Sequence, residues 1–412
     1  MTEAPPRVRA VAQVVAVEPA RDDAEPRLKR RPGYLGTVHV VQLVLVEAVL
    51  FGVLGALTRN VVVAGITAGV GALLILAATL RRGGRWWFEQ QTVRRLYRRR
   101  RGHPDIGEKD PRLAAMHWLA PGLTAQDVGS DTGAQAGIAC DAAGWYGVIV
   151  VGAAASMRGD GGPGVPLDVL ARALDDAEQP GAVLQVVTHS VPAPSPDMDS
   201  RHLAAYSYQE LQQLAGPVPA DRTTWIAVRL EARSRAEAGV AGGYDAEHAP
   251  TLVANLIRKV SRSLRESKLP HRVLSADELL DALVRACDLD SGQGGVGQPP
   301  PREEWTAWHS ARAAHVSFWL RDWPSIDDAA TMFGALSAMP SASTTVSLVL
   351  ARDHEELAMR CLIRVAAPPD GLARLCETLG QSARAVSAEL FRLDGEQGPA
   401  VYASAPTGGG AA

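Results

Sequence analysis

The segment Gly159-Asp160-Gly161-Gly162-Pro163-Gly164 has the composition of a phosphate-binding loop, with a strand-like run before it and a helix-like run after it. Glycines let backbone amides approach an anion, and the following helix would aim its N-terminus at the charge. The Lys-Ser/Thr ending of a P-loop is missing, and Pro163 removes one amide donor, so the segment reads as a flexible loop. Asp197 and Asp199 sit two apart in a Pro-rich stretch, where a glycosyltransferase would hold a metal against a nucleotide-sugar. That is a two-residue signal. Asp353-His354-Glu355-Glu356 pairs a histidine with carboxylates but falls between two strand-like runs, as a solvated hairpin turn does. His309 and His315 have no carboxylate or thiol at ligand spacing, which argues against zinc. No GxSxG nucleophile motif occurs. The expectation is a non-enzyme, with no catalytic residue, no cofactor and no metal.

The four cysteines, Cys140, Cys287, Cys361 and Cys376, form no CxxC pair and sit in apolar contexts. They are expected as free thiols in a reducing cytosol. Net charge over 412 residues is −3, so basic clusters are local features.

Residues 38–57 and 61–80 are apolar stretches separated by Thr58, Arg59 and Asn60. At ~1.5 Å per helical residue each would cover the ~30 Å hydrocarbon core, so a hairpin of two transmembrane helices is expected. Arg27, Lys29, Arg30 and Arg31 precede it, and Arg81, Arg82, Arg85, Arg94, Arg95 and Arg98 to Arg101 follow it. The positive-inside rule then places both termini of a multi-pass protein on the cytoplasmic side. Arg81, Arg82, Arg85, Trp86, Trp87 and Phe88 are assigned to the membrane interface, where aromatic rings and cations meet headgroups. The lipid bilayer is thus an expected partner and nucleic acid is not. Glu47, midway along the first stretch, would cost ~2.5–3.5 kcal/mol in a bilayer unless it met a partner. It is assigned to partner contact with the small residues Gly52, Gly55, Gly65 and Gly69, the last two forming GxxxG. A hydrogen bond from Glu47 to Thr67 is the alternative within the hairpin.

The elements beyond the hairpin read as α/β. Residues 1–35 form a disordered tail, 36–82 the hairpin, and 83–132 a basic stem and polar connector. Strands are expected at 138–141, 146–151, 182–188 and 224–230, with helices at 167–177, 202–214 and 249–266 from their apolar periodicity. Ser275 and Glu278 make a capping box for the next helix. A Gly/Pro linker over 291–302 closes the first half, 133–290. The second half, 303–405, orders its elements as βαββαβ: strands at 313–320, 344–350, 359–365 and 389–393, helices at 326–339 and 371–386. The first half admits the same order with a helical insertion, giving two ferredoxin-like halves; a Rossmann-like or glycosyltransferase-like α/β fold is the alternative. Residues 406–412 are expected to be disordered.

Taken together, the hairpin, the stem Gly84-Arg85-Trp86-Trp87-Phe88, the strand Trp225 to Leu230, and His315 to Trp319 leading to Trp323-Pro324 resemble EccE. EccE is a membrane component of the type VII (ESX) secretion systems of actinobacteria. The resemblance runs from about Pro32 to Ala405. It implies a non-catalytic multi-pass subunit of a secretion core complex in the plasma (inner) membrane, with EccB, the ATPase EccC and EccD as partners. A membrane-tethered glycosyltransferase-like enzyme is the alternative function.

Overall fold

The computed structural model describes residues 34–35, 38–79, 81–82, 85–100, 110–129, 135–152, 164–192, 221–232, 248–289, 300–337, 339–353 and 356–410, with isolated positions between 203 and 214. The Gly-rich loop at 159–163, Asp197, Asp199, most of the helix expected at 202–214 and the linker at 291–299 lie outside the described residues.

Two short pairs of strands flank the apolar helices: β1 (Tyr34–Leu35) with β2 (Val38–His39), and β3 (Arg81–Arg82) with β4 (Arg85–Trp86). Between them α1 (Val40–Leu57) and α2 (Val61–Thr79) lie against each other as an antiparallel hairpin. Among the described residues no helix is long and apolar enough to cross a membrane. The two helices have 18 and 19 residues, or roughly 27 and 28 Å at ~1.5 Å per residue, against ~30 Å of hydrocarbon. The start of the first expected span is strand, and α1 carries both Gln42 and Glu47. The expected pair of membrane spans is corrected accordingly, and so is the multi-pass plasma-membrane location with two cytoplasmic termini. The helices pack through Ala56, Ala64 and Gly71 against Val49, and leave Phe51, Val61 and Leu73 more than two-thirds exposed.

Twelve strands then form one sheet. The first unit contains α4 (Pro111–Met116), β5 (Thr124–Gly129), β6 (Gln135–Asp141), β7 (Gly144–Val151), α5 (Leu167–Ala177), β8 (Ala182–Val191), β9 (Asp221–Glu231), α6 (Ala249–Glu266), β10 (His271–Val273) and α7 (Ala276–Ala286). The second contains β11 (Arg302–Glu303), β12 (Trp308–His309), β13 (Ala314–Asp322), α8 (Ile326–Ser337), β14 (Ser343–Asp353), β15 (Glu356–Ala367), α9 (Pro369–Ala385), β16 (Glu389–Arg392) and α10 (Gln397–Ser404). Within the first unit the strands run β10-β7-β9-β8, and within the second β16-β13-β15-β14, all antiparallel. Both are the ferredoxin-like arrangement, with the first and third strands central.

The halves are not separate bodies joined by a linker. Edge strand β8 pairs with edge strand β14, from Ser190 opposite Thr344 to Val183 opposite Ala351, which makes the sheet continuous. Each unit's open edge, a liability when bare, is closed by the other. The stretch read as a polar connector also supplies structure, because α4 packs on α7 and β5 extends the sheet beyond β6.

Alternation along the strands makes two cores. Trp145 and Ile149 of β7 face α5 and α6, whose Leu170, Leu174, Val253, Ile257, Val260 and Leu264 recur at helical spacing. The same face of the second unit is covered by α8 and α9. Tyr146 and Val148 point to the opposite face, covered by α4, α7 and α10. The capping box forms, with Ser275 and Glu278 each satisfying the other's amide.

Because the seam buries strands of both units, denaturant unfolding of the full chain should show one transition by tryptophan fluorescence and far-UV circular dichroism. Two resolved transitions would mean the seam does not couple the units.

Candidate functional site

Asp141 ends β6, and its Oδ1 accepts from the amides of Ala143 (2.9 Å) and Gly144 (3.0 Å), so it shapes the β6–β7 turn. Its carboxylate also meets Arg229 of β9 in a two-point pair, at 3.1 and 2.5 Å, with both side chains sealed from solvent. Tyr402 of α10 donates to Asp141 Oδ2 at 2.8 Å and lies 3.0 Å from the Tyr146 hydroxyl. Burial works against the Arg229 charge, but the Asp141 carboxylate outweighs it and holds the guanidinium above its ordinary range. Burial likewise pushes the Tyr146 and Tyr402 hydroxyls upward, so both remain protonated donors.

The C-terminal segment closes over this pair. Arg229 donates to the Thr407 carbonyl at 2.7 Å, and Gln185 Oε1 accepts from the amides of Thr407 and Gly408 at 3.1 and 2.6 Å. Gln185 Nε2 donates to Ser347 Oγ of β14 and to the Ala403 carbonyl, so one buried amide ties the first unit, the second unit and the tail. The expected disorder of residues 406–412 is corrected for 406–410, where Thr407, Gly408 and Gly410 are buried; 411 and 412 lie outside the described residues. Gly408 has φ +81°, and a Cβ there would come within 2.3 Å of Arg229. Glycine is required by contact, not by mobility.

A second polar cluster forms where α7 ends. Asp288 accepts from Ser310 Oγ at 2.6 Å, lies 3.2 Å from His315 Nε2, and pairs with Arg312. Serine, histidine and aspartate meet here, but Ser310 and Asp288 both address Nε2, while a triad needs them on opposite ring nitrogens. Hydrogen bonds from Ser310 and the imidazole overcome the burial of Asp288 and hold its carboxyl well below the usual range. Across the sheet, strand register aligns Ser317, Arg364, Thr345 and His189 in one row. His189 Nδ1 lies 2.9 Å from Thr345 Oγ1, and burial, reinforced by Arg364, lowers its pKa to about 3.

Where α6 meets β10 an open cleft of about 360 Å³ is lined by Ser261, Arg265 and His271. Ser261 Oγ and His271 Nε2 are 2.6 Å apart, and His271 Nδ1 is 2.7 Å from the Leu269 carbonyl. The pair has nucleophile–base spacing. Ser261 stands inside a helix whose amides are spent on its own turns, so no backbone donors converge on a developing oxyanion. The arrangement fastens helix to strand. Among the described residues no three His, Cys, Asp or Glu side chains gather as a metal site.

The stem, α3 (Trp87–Arg100), docks on the second unit. Arg100 makes two hydrogen bonds of 3.1 Å to Glu303 and one of 2.7 Å to the Gly395 carbonyl. Tyr97 meets Trp305 edge-on, with ring centroids 5.4 Å apart. Arg85, assigned from sequence to the membrane interface, is buried against Glu396 and Phe391. Arg81, Arg82 and Trp86 lie in the small β3–β4 pair, and Trp87 and Phe88 open α3. Of the partner-contact residues, Glu47 is exposed, and Thr67 donates to the Val63 carbonyl. Gly52 approaches Thr67, whereas Gly55, Gly65 and Gly69 face open space, so GxxxG does not join the two helices. Asp353 and Glu356 are opposed in register at a hairpin turn. His309 pairs with Glu304. Sequence reasoning missed Asp141, Arg229, Gln185 and Asp288. A buried arginine on an otherwise apolar strand was the available signal for the first pair.

Two comparisons bear on identity. The EccE family model, described as "Putative type VII ESX secretion system translocon, EccE", matches residues 218–320. No curated protein sequence matches the chain. The matched part begins just before β9 and ends within β13, so it bridges the two units. It holds the Trp225 to Leu230 strand and His315 to Trp319, but not the hairpin or the stem. The resemblance is therefore narrower than residues 32–405, and its description as a membrane component is corrected by the absence of any described membrane-length apolar helix. The match associates the chain with a secretion-related complex and names no partner.

Arg229→Met leaves the Asp141 carboxylate buried without its countercharge and should destabilise the chain by about 3–5 kcal/mol in urea. Adding Asp141→Asn should recover part of that loss in a double-mutant cycle. A cost no larger than that of a surface substitution would remove the pair from its central place.

His189 gives a pH signature. Its folded pKa lies below the unfolded value of ~6.5, so the unfolded chain binds the extra proton first. Its contribution to stability should be complete above ~pH 6.5 and be lost progressively as pH falls toward about 3. His189→Gln should flatten that part of the stability–pH curve; an unchanged slope would place the proton uptake elsewhere.

Proposed function

We propose that the chain is a non-enzymatic subunit of a secretion-related assembly and works through protein contacts made by its α/β region. The observation that carries this reading is the EccE-family match over residues 218–320, which takes in β9 to β12 and most of β13. The polar side chains support it. Asp141, Arg229, Gln185 and Asp288 direct their hydrogen bonds to turns, seam and tail. Such polar networks fix one fold. Within the assembly the partners are a secretion ATPase of the EccC kind, with EccB and EccD beside it.

A tagged full chain purified under native conditions should bring that ATPase with it by mass spectrometry, and deletion of the gene should abolish secretion. A chain that migrates alone in native gels, in cells that still secrete after deletion, would sink the proposal.

A further inference from the structure

Beneath α10 the sheet gathers buried polar groups that meet no partner among the described residues. Trp308 Nε1, His315 Nδ1, Ser317 Oγ, Arg364 Nη1 and Gln397 Nε2 are all buried and make no hydrogen bond among the described residues. Strand register brings them together. Trp308 is opposite His315, Ser317 follows on the same face of β13, and Arg364 is opposite Ser317 on β15. Gln397 reaches the same place from α10, its Oε1 accepting from the Ser317 amide at 2.9 Å.

The indole, amide and guanidinium nitrogens can only donate. Arg364 is 2 % exposed, and its other terminal nitrogen donates to neutral oxygens, the Ala286 carbonyl and Thr345 Oγ1. Asp288, the neighbouring carboxylate, is already engaged by Ser310, His315 and Arg312. A water here would accept two of these bonds and leave the remaining N–H donors and the guanidinium charge unmatched. A single small anion accepts from every donor and supplies the charge that a buried guanidinium lacks.

We propose that a monovalent anion of halide size, chloride in the cell, is bound between β12, β13, β15 and α10 by Trp308, Ser317, Arg364 and Gln397. It is a structural ion that locks α10, and through it the C-terminal tail, onto the sheet. The site is independent of the partners proposed above.

The test uses the full chain purified in gluconate and melted with increasing bromide or chloride at constant ionic strength. Binding to the folded state alone should raise the melting temperature by about 3 °C and then saturate. Crystals grown in bromide should show an anomalous peak within hydrogen-bonding distance of Ser317 and Arg364. Ser317→Ala and Gln397→Leu each remove one donor without touching the Arg364 charge, and each should abolish most of the halide-dependent rise. Should one variant fail to fold, the other still reads the site. Equal melting in halide and gluconate, water alone at the site, or an undiminished halide response in the variants would overturn the proposal.

Discussion

The buried pairing of Asp141 with Arg229 is the constraint on which the rest of the structure is arranged. Two charges without solvent are costly unless further hydrogen bonds satisfy their lone pairs and protons. Asp141 is therefore surrounded by two turn amides, Arg229 and the Tyr402 hydroxyl. The arginine in turn fixes the Thr407 carbonyl. A turn, a central strand, the last helix and the tail are thus positioned by one carboxylate. The all-glycine run after Thr407 follows from the same constraint, because its backbone lies directly on the arginine stem.

Much of the α/β region was legible because its helices carry clean apolar periodicity and its strands are β-branched runs between turn residues. Leu167–Ala177 and Ala249–Glu266 fall where periodicity placed them, and the Ser275–Glu278 capping box is a local signal with a local outcome. The seam between β8 and β14 was not legible, since edge pairing leaves no mark in either strand's own pattern. The tail misled for a related reason. A Gly-rich end has the composition of disorder, and only the surface beneath it shows that those glycines are in contact. The apolar hairpin misled by composition as well, because hydropathy reports what a segment avoids and not how far its helix runs.

The basic stem shows how one composition serves two geometries. A run of arginines next to an apolar segment suggests a charged surface outside the protein. Here Arg85 and Arg100 turn inward to Glu396 and Glu303, while Val93 and Tyr97 share their docking face. Glu303 also accepts from the Gly398 amide at the start of α10, so stem, second unit and last helix are held at one point. Exposed Arg95, Arg98 and Arg99 remain on the outer side of α3. A partner approaching the sheet therefore meets the stem as part of the same surface.

The seam has a consequence for how the chain is made. During synthesis β8 emerges and pairs with β9 long before β14 exists, so the first unit waits with a 10-residue strand edge bare. The register that β14 later satisfies is set by β8 alone, and the β14 of a second copy fits it equally well. Concentrated nascent or refolding chains are thereby offered a route to exchange their second units. Correct pairing then depends on effective concentration: the second unit of the same chain reaches the open edge before a neighbour's does.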